Sequence, residues 1–403
     1  MSNLPQGWEV KTLSEIGEIV TGSTPSKSNL DFYGKDYPFF KPSDFEQGYF
    51  LENAGDNLSK LGFDKARQLP PKTILVVCIG SLGKVALTKV IGSCNQQINA
   101  IIPHKNIISE YIYYYCISSK FQSILFSKAP QTTLAILNKT EFSKLEIIYP
   151  KDIKEQERIV GILDFAFSKI DENIKKAKEN LANIDELMQS ALQKAFNPLN
   201  DNTKENYQLP QSWEWKSLGD TSNYGKTSQV KPSQLKGNDW ILELEDIEKE
   251  SGVLLQKVLF QDRQSKSNKI KFNKDDILFG TLRPYLKKVI IADDNGACSS
   301  EIMPFSTGNS ITNHFIYYYL FANFLHDRIS SLTYGARMPR LGTKDGKSLQ
   351  IPLPPLQEQE QIAEHLDFVF EKAKALKELY TKELKDYEEL KQSLLDKAFK
   401  GEL

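Results

Sequence analysis

The sequence predicts an α+β fold: two similar α/β domains separated by two long helices that form an antiparallel coiled coil, with an internal pseudo-twofold repeat. The first observation is a duplicated opening, since residues 4–13 read LPQGWEVKTL and residues 209–218 read LPQSWEWKSL, with seven of the ten positions identical. The second is that later anchors recur at nearly the same spacing, because LDFAF at 163–167 returns as LDFVF at 366–370. The third is a heptad pattern after each domain. A period this long belongs to the whole architecture.

Each repeat opens with a part whose β-branched and aromatic runs, bounded by Gly, Pro or Asn, have strand composition. These runs lie at 73–80, 84–92 and 98–103 in the first repeat and at 276–280 and 287–292 in the second. An aromatic IYYY run begins at Ile112 and recurs at Ile316, and its surroundings favour a buried helix. We therefore expect a twisted, mostly antiparallel or mixed sheet with helices in each domain.

A long coiled-coil helix is predicted after the first domain. Its apolar residues alternate four and three positions apart, which is the spacing of a heptad seam. They are Leu163, Phe167, Ile170, Ile174, Ala177, Leu181, Ile184, Met188, Ala191 and Ala195. Pro198 ends the pattern, because proline cannot continue a helix. A helix of this length cannot bury its apolar stripe on one small domain, so it requires a helical partner.

The second repeat supplies an equivalent helix that ends near Gly401. Its seam residues are Leu366, Phe370, Ala373, Tyr380, Leu384, Tyr387, Leu394 and Ala398. Lys377 and Lys391 fill two seam positions, and we expect the neighbouring Leu376 and Leu390 to supply the seam there. The simplest arrangement packs the two helices antiparallel, and two alternatives stay open: each helix lies on its own domain, or the coiled coil forms between molecules. The expected interface residues are Leu163, Phe167, Ile170, Ile174, Leu181, Ile184, Leu366, Phe370, Leu384 and Leu394.

These patterns divide the chain into four segments. A first domain spans 1–152, a helical segment 153–200, a second domain 207–355 and a second helical segment 356–403. Each helical segment is entered through a Pro-bearing turn followed by Glu and Gln, as in PKDIKEQERI and PPLQEQEQI. Acidic side chains there suit the positive end of the helix dipole.

The composition is that of an ordinary globular chain of 403 residues, with 40% apolar and 26% charged residues and a net charge of −1. No run approaches the ~20 apolar residues of a membrane span, and the opening MSNLPQGWEV lacks the pattern of a secretory signal. The four cysteines and four histidines show no metal-ligand spacing, so reduced cysteines in the cytoplasm are expected. Because the net charge is near zero, any nucleic-acid contact must use local clusters or a more basic partner.

Signatures of catalysis are missing from the sequence. It has no GxxxxGK[ST] loop for nucleotide phosphates and no GxGxxG after a strand, and it lacks the Asn-Pro-Pro-aromatic or Asp-Pro-Pro-aromatic motif of an adenine methyltransferase. The acidic run ILELEDIE at 241–248 could suggest a nuclease metal site, but no lysine stands at nuclease spacing. We expect this run to form a strand with a solvated carboxylate face.

Basic residues concentrate in loops. From 263 to 288 there are eight Lys and Arg against two Asp, and YGARMPRLGTKDGK at 334–347 carries four more. The first repeat has thinner counterparts, GSLGK at 80–84 and KAPQTT at 128–133. Arg suits bidentate contact with guanine, Lys suits phosphates, and Gln and Thr suit adenine edges and thymine methyls. Each cluster alone is typical of a solvated surface, but recurrence at the same place in both repeats favours duplex DNA with a split recognition site as the partner.

Over its full length the chain resembles the specificity subunits of type I restriction-modification enzymes. The resemblance is carried by the two LPxxWExKxL openings, GARMPRLGTKD at 335–345, IPLPPLQEQEQI at 351–362 and the closing LLDKAFKGEL. The first domain departs from this pattern at 129–138, where APQTTLAILN replaces a GARMPRLG-like loop. The resemblance implies two target-recognition domains, each binding one half of a bipartite DNA target, and helices that set the spacer between the half-sites.

The resemblance also implies partners, cofactors and site residues. The expected partners are double-stranded DNA, two modification subunits, and restriction subunits that translocate and cleave DNA, all in the cytoplasm; no membrane and no small-molecule substrate are expected. No cofactor or metal is expected in this chain, because S-adenosylmethionine, ATP and Mg would bind the partner subunits. The chain would recognise DNA and scaffold the complex without catalysis. The candidate DNA contacts are Lys27, Lys41, Ser81, Lys84, Gln131, Thr132, Thr133, Lys226, Thr227, Arg283, Tyr285, Lys287, Arg337, Met338, Arg340 and Lys344.

Two other functions stay open from the sequence. One is a fused methyltransferase and specificity protein, which the missing adenine-methylation motif argues against and which binding of S-adenosylmethionine by the chain would support. The other is a coiled-coil scaffold that joins two protein-binding domains. A failure to enrich any sequence from random duplexes would support the scaffold.

Overall fold

The chain folds into two compact units, each described here by itself. The structure is a computed structural model and describes residues 4–129, 135–201, 207–263 and 265–403. Residues 1–177 together with 381–403 form unit 1, and residues 178–380 form unit 2. No helix in these described ranges has an apolar stretch of the length that crossing a membrane requires. The four-segment division expected from the sequence stays a prediction.

Unit 1 is built around a five-stranded sheet. Its described strands are β1 (Trp8–Thr12), β2 (Gly17–Thr21), β3 (Tyr33–Phe40), β4 (Phe50–Leu51), β5 (Asp56–Leu58), β6 (Ile74–Val77), β7 (Val85–Thr88), β8 (Ser93–Cys94), β9 (Ile98–Pro103) and β10 (Glu146–Pro150). The main sheet has the order β2-β9-β6-β7-β4, antiparallel except for the parallel pair β4 and β7. In a smaller sheet β3 lies between β5 and β8. The mixed sheet expected from the runs at 73–80, 84–92 and 98–103 is confirmed.

Helices cover one face of the main sheet in unit 1. They are α1 (Leu13–Ile16), α3 (Ser109–Ile117), α4 (Ser119–Lys128), α5 (Lys139–Ser143) and the first part of α6 (Ile153–Phe196), whereas α2 (Lys60–Lys65) packs on the smaller sheet through Phe63. Short 3₁₀ turns occupy Leu30–Phe32 and Pro42–Gln47. The predicted aromatic run is α3, and its tyrosines are buried in one core with the apolar side chains of β6, β9 and the start of α6.

Unit 2 repeats this plan with shorter sheets. Its described strands are β11 (Glu214–Ser217), β12 (Gln229–Val230), β13 (Trp240–Leu242), β14 (Lys269–Phe272), β15 (Ile277–Gly280), β16 (Val289–Ile291), β17 (Gly296–Cys298), β18 (Ile302–Phe305), β19 (Thr333–Tyr334), β20 (Arg340–Leu341) and β21 (Gln350–Leu353). Its helices are the last part of α6, α7 (Leu218–Thr221), α8 (Phe260–Arg263), α9 (Asn313–Tyr319), α10 (Asn323–Leu332), α11 (Thr343–Lys347) and the first part of α12 (Leu356–Lys400). The 3₁₀ turns are Pro232–Gln234, Leu244–Asp246 and Pro284–Leu286. The sheets have the orders β12-β14-β17-β13 and β16-β15-β18.

The duplicated opening segments have the same structural role in both units. β1 pairs antiparallel with β10, so that Trp8 lies opposite Pro150, and β11 pairs antiparallel with β21, so that Glu214 lies opposite Leu353. β10 and β21 are the strands that lead directly into the long helices. The opening strand of each domain therefore fastens the strand from which its helix departs.

The long helices pack antiparallel within each unit, as the heptad spacing predicts. α6 has 44 residues and α12 has 45. In unit 1, Phe167 and Leu394 pack on the same core, and in unit 2, Ile184 packs with Ala373. The ten predicted interface residues are all buried or half-buried. The apolar face that the spacing selects is thus the face that becomes covered.

Two lysines occupy the seam where leucines were expected. Lys391 in unit 1 bonds Asp171 Oδ1 at 2.5 Å and lies over the Phe167 ring, and Lys377 in unit 2 pairs with Asp185. Leu376 and Leu390 are exposed instead, so the prediction that they supply the seam is wrong. The long lysine stems cover the apolar surface while the ammonium groups reach carboxylates at the edge of α6.

Each long helix begins on one domain and ends in the core that surrounds the other. Phe196, at the end of α6, packs edge-on against Phe315 and Tyr319 of α9, with ring centroids 5.1 Å apart. Phe399, at the end of α12, packs against the α3 rings of Tyr111 and Tyr115 at 5.4 and 4.9 Å. The alternative in which each helix lies only on its own domain is therefore wrong.

A buried glutamine joins the start of each helix to its domain. The Gln156 side chain accepts from the Ile108 N–H at 2.9 Å and donates to the carbonyls of Asn106 and Pro150 at 3.3 and 2.9 Å. The Gln359 side chain accepts from the Thr312 N–H at 3.0 Å and donates to the carbonyls of Ser310 and Pro354 at 3.0 and 2.8 Å. Both side chains are fully buried. About two turns later, Tyr114 donates to Asp164 and Tyr318 donates to Asp367.

We expect Gln359→Ala to destabilise unit 2, because it removes a buried amide that bonds three backbone groups. The loss in the free energy of unfolding should be about 2–4 kcal/mol. Hydrogen exchange on the full chain should show faster exchange of the Thr312 amide, and urea unfolding should show the loss. The matched control is Gln361→Ala, since Gln361 is exposed on the same helix turn; equal effects of the two variants would contradict the buried-amide role.

A buried histidine makes unit 2 sensitive to acid. His326 lies in α10 with Nε2 2.6 Å from the Leu320 carbonyl and with no partner for Nδ1, and burial lowers its pKa to about 4. Between pH 6.5 and 4 the unfolded chain therefore binds one proton more than the folded chain. The stabilisation is complete above pH 6.5 and falls by about 3 kcal/mol as the pH drops to 4.

We expect His326→Gln to remove this part of the pH dependence. Urea unfolding at pH 7, 6 and 5 should give a shallower slope for the variant than for the unchanged chain. His314→Gln is the matched control, because it removes an exposed histidine and leaves His326 in place. A variant slope equal to that of the unchanged chain would show that His326 does not titrate as described.

Candidate nucleic-acid interface

Two loops meet at the same place in each unit. The hairpin loops are residues 78–84 in unit 1 and 281–288 in unit 2. The facing loops are 335–342 in unit 2 and, in unit 1, the segment whose described part is 135–138. In unit 1 the Leu137 N–H donates to the Cys78 carbonyl at 2.9 Å. In unit 2 the Leu341 N–H donates to the Thr281 carbonyl at 2.9 Å, and the Arg283 N–H donates to the Pro339 carbonyl at 2.7 Å. In each unit the hairpin loop is therefore in contact with the facing loop, and the sequences of both loops differ between the units.

The hairpin loop of unit 2 holds two side-chain-bearing residues in the left-handed region. Arg283 has φ 49° and Lys287 has φ 46°, whereas the turns of the unit 1 loop use Gly80 and Gly83. A non-glycine residue in this region costs roughly 1–2 kcal/mol. Pro284, which follows Arg283, and the bond of Arg283 to the facing loop hold the conformation. Strain of this kind is typical of loops whose side-chain directions matter for function.

Two candidate lysines of unit 1 flank one 3₁₀ turn. Lys41 directly precedes Pro42–Gln47, and its ammonium group pairs with Asp56. Lys84, at the end of the hairpin loop, pairs with Glu46 inside the same turn. Both lysines stay partly exposed. Both cations are thus placed around one turn, through Lys41 at its start and the Lys84 ion pair with Glu46 inside it.

The other unit 1 candidates are less concentrated. Ser81 is exposed at the tip of the hairpin loop. Lys27 is exposed in a separate segment, which is held by bonds from Thr24 to Gln96 and from Tyr33 to the Pro25 carbonyl. Three further candidates lie outside the described residues: Gln131, Thr132 and Thr133.

In unit 2 most candidates are exposed on the two contacting loops. Exposed members are Arg283, Tyr285, Arg337 and Met338. Arg340 is half-buried, with its guanidinium 3.9 Å from Glu301. Lys226 and Thr227 are exposed in a segment that packs on α11, since a Cβ at Gly225 would lie 2.4 Å from Thr343 Cγ2. α11 also carries the exposed Lys344, so these residues share one side of the domain.

Lys287 is the exception, and its assignment as a DNA contact is wrong. Its side chain is 6% exposed and donates to the Phe321 carbonyl at 3.0 Å and to Asn323. Burial lowers the pKa of Lys287, while the nearby carboxylates of Glu250 and Asp327 act in the opposite direction. The lysine fixes the base of the hairpin loop from inside, and its charge is not presented to a ligand.

The sequence suggested that the acidic run 241–248 forms a strand with a solvated carboxylate face, but the structure differs. β13 ends at Leu242, and a 3₁₀ turn follows in which Asp246 is fully buried. Its carboxylate accepts three hydrogen bonds, from the Glu243 N–H at 2.8 Å, Gln256 Nε2 at 2.8 Å and Arg263 Nη2 at 2.7 Å. The prediction is wrong because the aspartate caps a turn and draws an arginine of the basic cluster inward.

An open cleft of about 810 Å³ lies between this turn and the two loops of unit 2. Residues in its wall include Glu243, Glu245, Arg283, Lys288, Glu301 and Met338. Sequence reasoning identified Arg283 and Met338 but missed the glutamates. An alignment of the two repeats could have located this turn, because Asp44 caps the equivalent turn of unit 1 by accepting a hydrogen bond from the Lys41 N–H.

The arrangement offers the chemistry that a DNA groove requires. Exposed cations on the loops can neutralise phosphates, while carboxylate and guanidinium groups in one cleft supply hydrogen-bond acceptors and donors for base edges. Three groups of the cleft are held in place by direct contacts: Glu243 pairs with Lys269, Lys288 donates to the Leu244 carbonyl and Arg263 donates to Asp246.

A family model described as type I restriction modification DNA specificity domain matches this chain twice, at residues 5–183 and 210–385. The specificity subunit of type I restriction enzyme HindI from Haemophilus influenzae is 39% identical over 176 residues, which make up 42% of this chain and 38% of that protein. The MjaIX specificity subunit from Methanocaldococcus jannaschii is 29% identical over 229 residues, 55% of this chain and 52% of that protein. The chain thus spans about half or less of the length of these two curated relatives.

Solved structures show the same fold. A chain from work on the complex assembly and conformational transition of the type I R-M system matches with a TM-score of 0.79 and 18% identity, and the match covers 100% of both chains. At that identity the likeness concerns the fold alone. The family model, in contrast, matches most of the sequence, with one match beginning at each of the two duplicated openings. The chain belongs to the type I restriction-modification DNA specificity family.

Proposed function

We propose that this chain is the DNA-recognition subunit of a type I restriction-modification complex. Each domain binds one half of a bipartite DNA target through its hairpin loop and facing loop, and the paired helices set the spacer between the half-sites. The chain itself catalyses no reaction. It works in the cytoplasm and scaffolds the modification and restriction subunits, which bind S-adenosylmethionine, ATP and Mg.

The observation that carries this proposal is the contrast between a repeated framework and unlike loops. The strand pair at the helix entrance, the buried glutamine and the aromatic helix recur in both units. In each unit the hairpin loop contacts the facing loop. The hairpin loops hold the same position in the two units, yet the loop of unit 1 carries GSLGK and the loop of unit 2 carries TLRPYLKK. A protein that reads an asymmetric two-part sequence needs this division, because the framework must meet equivalent partners while the loops must meet different bases.

Charge supports a shared mode of DNA binding. The chain has a net charge of −1, and several of its loop cations are engaged by acidic neighbours, as in the pairs of Lys41 with Asp56, Lys84 with Glu46 and Arg340 with Glu301. Phosphate neutralisation is the main source of affinity in most protein–DNA complexes. The modification subunits therefore supply much of the positive surface, and this chain supplies the selection of bases.

The helices offer equivalent apolar surfaces for two copies of one partner. Phe165 on α6 is 71% exposed, and Phe368 at the equivalent place on α12 is 59% exposed. Each stands two residues after a buried leucine of the helix face, Leu163 or Leu366. Large aromatic side chains on a surface are typical of binding sites. Two such sites at repeated positions fit two identical modification subunits.

Exchange of residues 1–152 for the first domain of another family member tests the recognition proposal. One half of the recognised sequence should change and the other half should persist, because each domain reads its half-site alone. The measurement is sequencing of the adenines that the assembled complex methylates. Gln156 lies outside the exchanged residues and is retained, and the donor domain should keep the α3 aromatic residues, so that the core with Phe399 remains. Altered recognition in both halves would contradict the proposal.

Phe165→Ala and Phe368→Ala test the docking surfaces. Each single variant should weaken one of two modification-subunit sites by about 2 kcal/mol, roughly 30-fold, and the double variant should weaken both. Native mass spectrometry of the mixed subunits should then show one bound copy for each single variant at concentrations where the unchanged chain binds two. Leu61→Ala, an exposed leucine on α2, is the control. Two copies retained by the double variant would place docking elsewhere.

A further inference from the structure

One position of the fold carries opposite charges in the two units. In unit 1 the parallel strands β3 and β8 place Phe40 opposite Cys94, and the next residue is Lys41. In unit 2 the parallel strands β13 and β17 place Leu242 opposite Cys298, and the next residue is Glu243. Lys41 and Glu243 therefore occupy the same place in the topology.

The turn that follows confirms this equivalence. The Lys41 N–H donates to Asp44 Oδ2 at 2.7 Å, and the Glu243 N–H donates to Asp246 Oδ2 at 2.8 Å. Each aspartate is buried and caps a 3₁₀ turn that starts one residue after the charged position. The backbone is thus held in the same way in both units, and only the side chain at the charged position differs.

The partner charges are exchanged as well. Lys41 pairs with Asp56, whereas Glu243 Oε1 accepts from Lys269 Nζ at 2.5 Å. An ion pair satisfies both charges in either orientation, so charge pairing alone does not decide which residue is the acid. The surroundings that the side chain faces can therefore decide whether this position carries an acid or a base.

Glu243 faces the cleft between the two loops of unit 2. Lys269 is 2% exposed and holds the carboxylate from the protein side, while the Glu243 side chain stays 24% exposed in the cleft wall. The lining also includes the carboxylates of Glu245, Asp262 and Glu301 and the cations of Arg263, Arg283 and Lys288. In such a mixed lining the cations suit phosphates, whereas the Glu243 carboxylate suits a base edge that carries a hydrogen-bond donor.

We propose that Glu243 accepts a hydrogen bond from an exocyclic amino group in the major groove of the second half-site, on cytosine N4 or adenine N6. An ionised carboxylate is an acceptor only, and these amino groups are the donors that the major groove displays. Lys41, a donor at the same place in unit 1, takes a guanine edge in the first half-site, where O6 and N7 are acceptors. This inference rests on the proposed DNA-recognition function and names the base chemistry that the cleft selects.

The test uses the full chain assembled with its modification subunit and a pool of duplexes randomised in both half-sites. Glu243→Gln keeps the size of the side chain but adds a donor, so the preference for an amino-bearing base should fall at least roughly 5-fold at one base pair of the second half-site. The first half-site should be unchanged. Lys41→Met should give the converse result, a lost guanine preference at one base pair of the first half-site only.

The matched control is Glu248→Gln, because Glu248 is exposed in the same acidic run but is absent from the wall of the cleft. Its selected sequence should equal that of the unchanged complex. Glu243→Lys combined with Lys269→Glu reproduces the polarity of unit 1 and keeps an ion pair if the single variant unfolds. This double variant should switch the preference at the same base pair from an amino-bearing base to guanine.

The outcomes separate the inference from the function on which it rests. If the unchanged complex enriches no sequence, the proposed recognition function fails. If it enriches a two-part sequence that Glu243→Gln leaves intact at every position, Glu243 does not read a base. Uniformly weaker binding with an unaltered sequence preference would also overturn the inference, since it would assign Glu243 to the stability of the turn. A change at one base pair, in the half-site that unit 2 binds, is the result that supports it.

Discussion

The fold depends on one buried amide side chain at the start of each long helix. Gln156 and Gln359 each bond backbone groups of the loop before the aromatic helix and of the strand that leads into the long helix. Both N–H donors of each amide are used, so the amide has one satisfied orientation. This bond set fixes the direction in which the helix leaves its domain. The register of the seam and the place where each terminal phenylalanine enters a core follow from that direction.

The repeated contacts and the unlike contacts obey different constraints. Where buried backbone groups need partners, as around the two glutamines and the two capping aspartates, the side chain that satisfies them recurs in both units. Where side chains face open space, as in the hairpin and facing loops, nothing in the fold requires the same residue twice. Lys41 and Glu243 meet both constraints in one residue. Their backbone N–H groups donate to an aspartate in the same way in both units, while their side chains carry opposite charges.

The sequence predicted the features that depend on periodicity and missed those that depend on burial of charge. The heptad spacing identified the covered face from Leu163 to Ile184 because a helix repeats its contacts at fixed intervals. It misplaced Leu376 and Leu390 because a lysine stem can also fill a seam when a carboxylate lies within reach. Lys287 and Asp246 look like surface charges in a linear sequence, and only the fold brings the Phe321 carbonyl to one and Arg263 to the other.

The passage of each helix from one unit into the other affects the order in which the protein is completed. The core around α3 includes Leu395, Ala398 and Phe399, which a ribosome adds more than 270 residues after Tyr115. During synthesis an N-terminal domain normally closes its core while the rest is still being made. Here one side of the aromatic helix, where Phe399 packs on Tyr111 and Tyr115, stays uncovered until the last turn of α12 has been translated. The part of the chain that is made first is therefore among the last to be finished, and its exposed tyrosines are the surface that a chaperone would have to protect in the meantime.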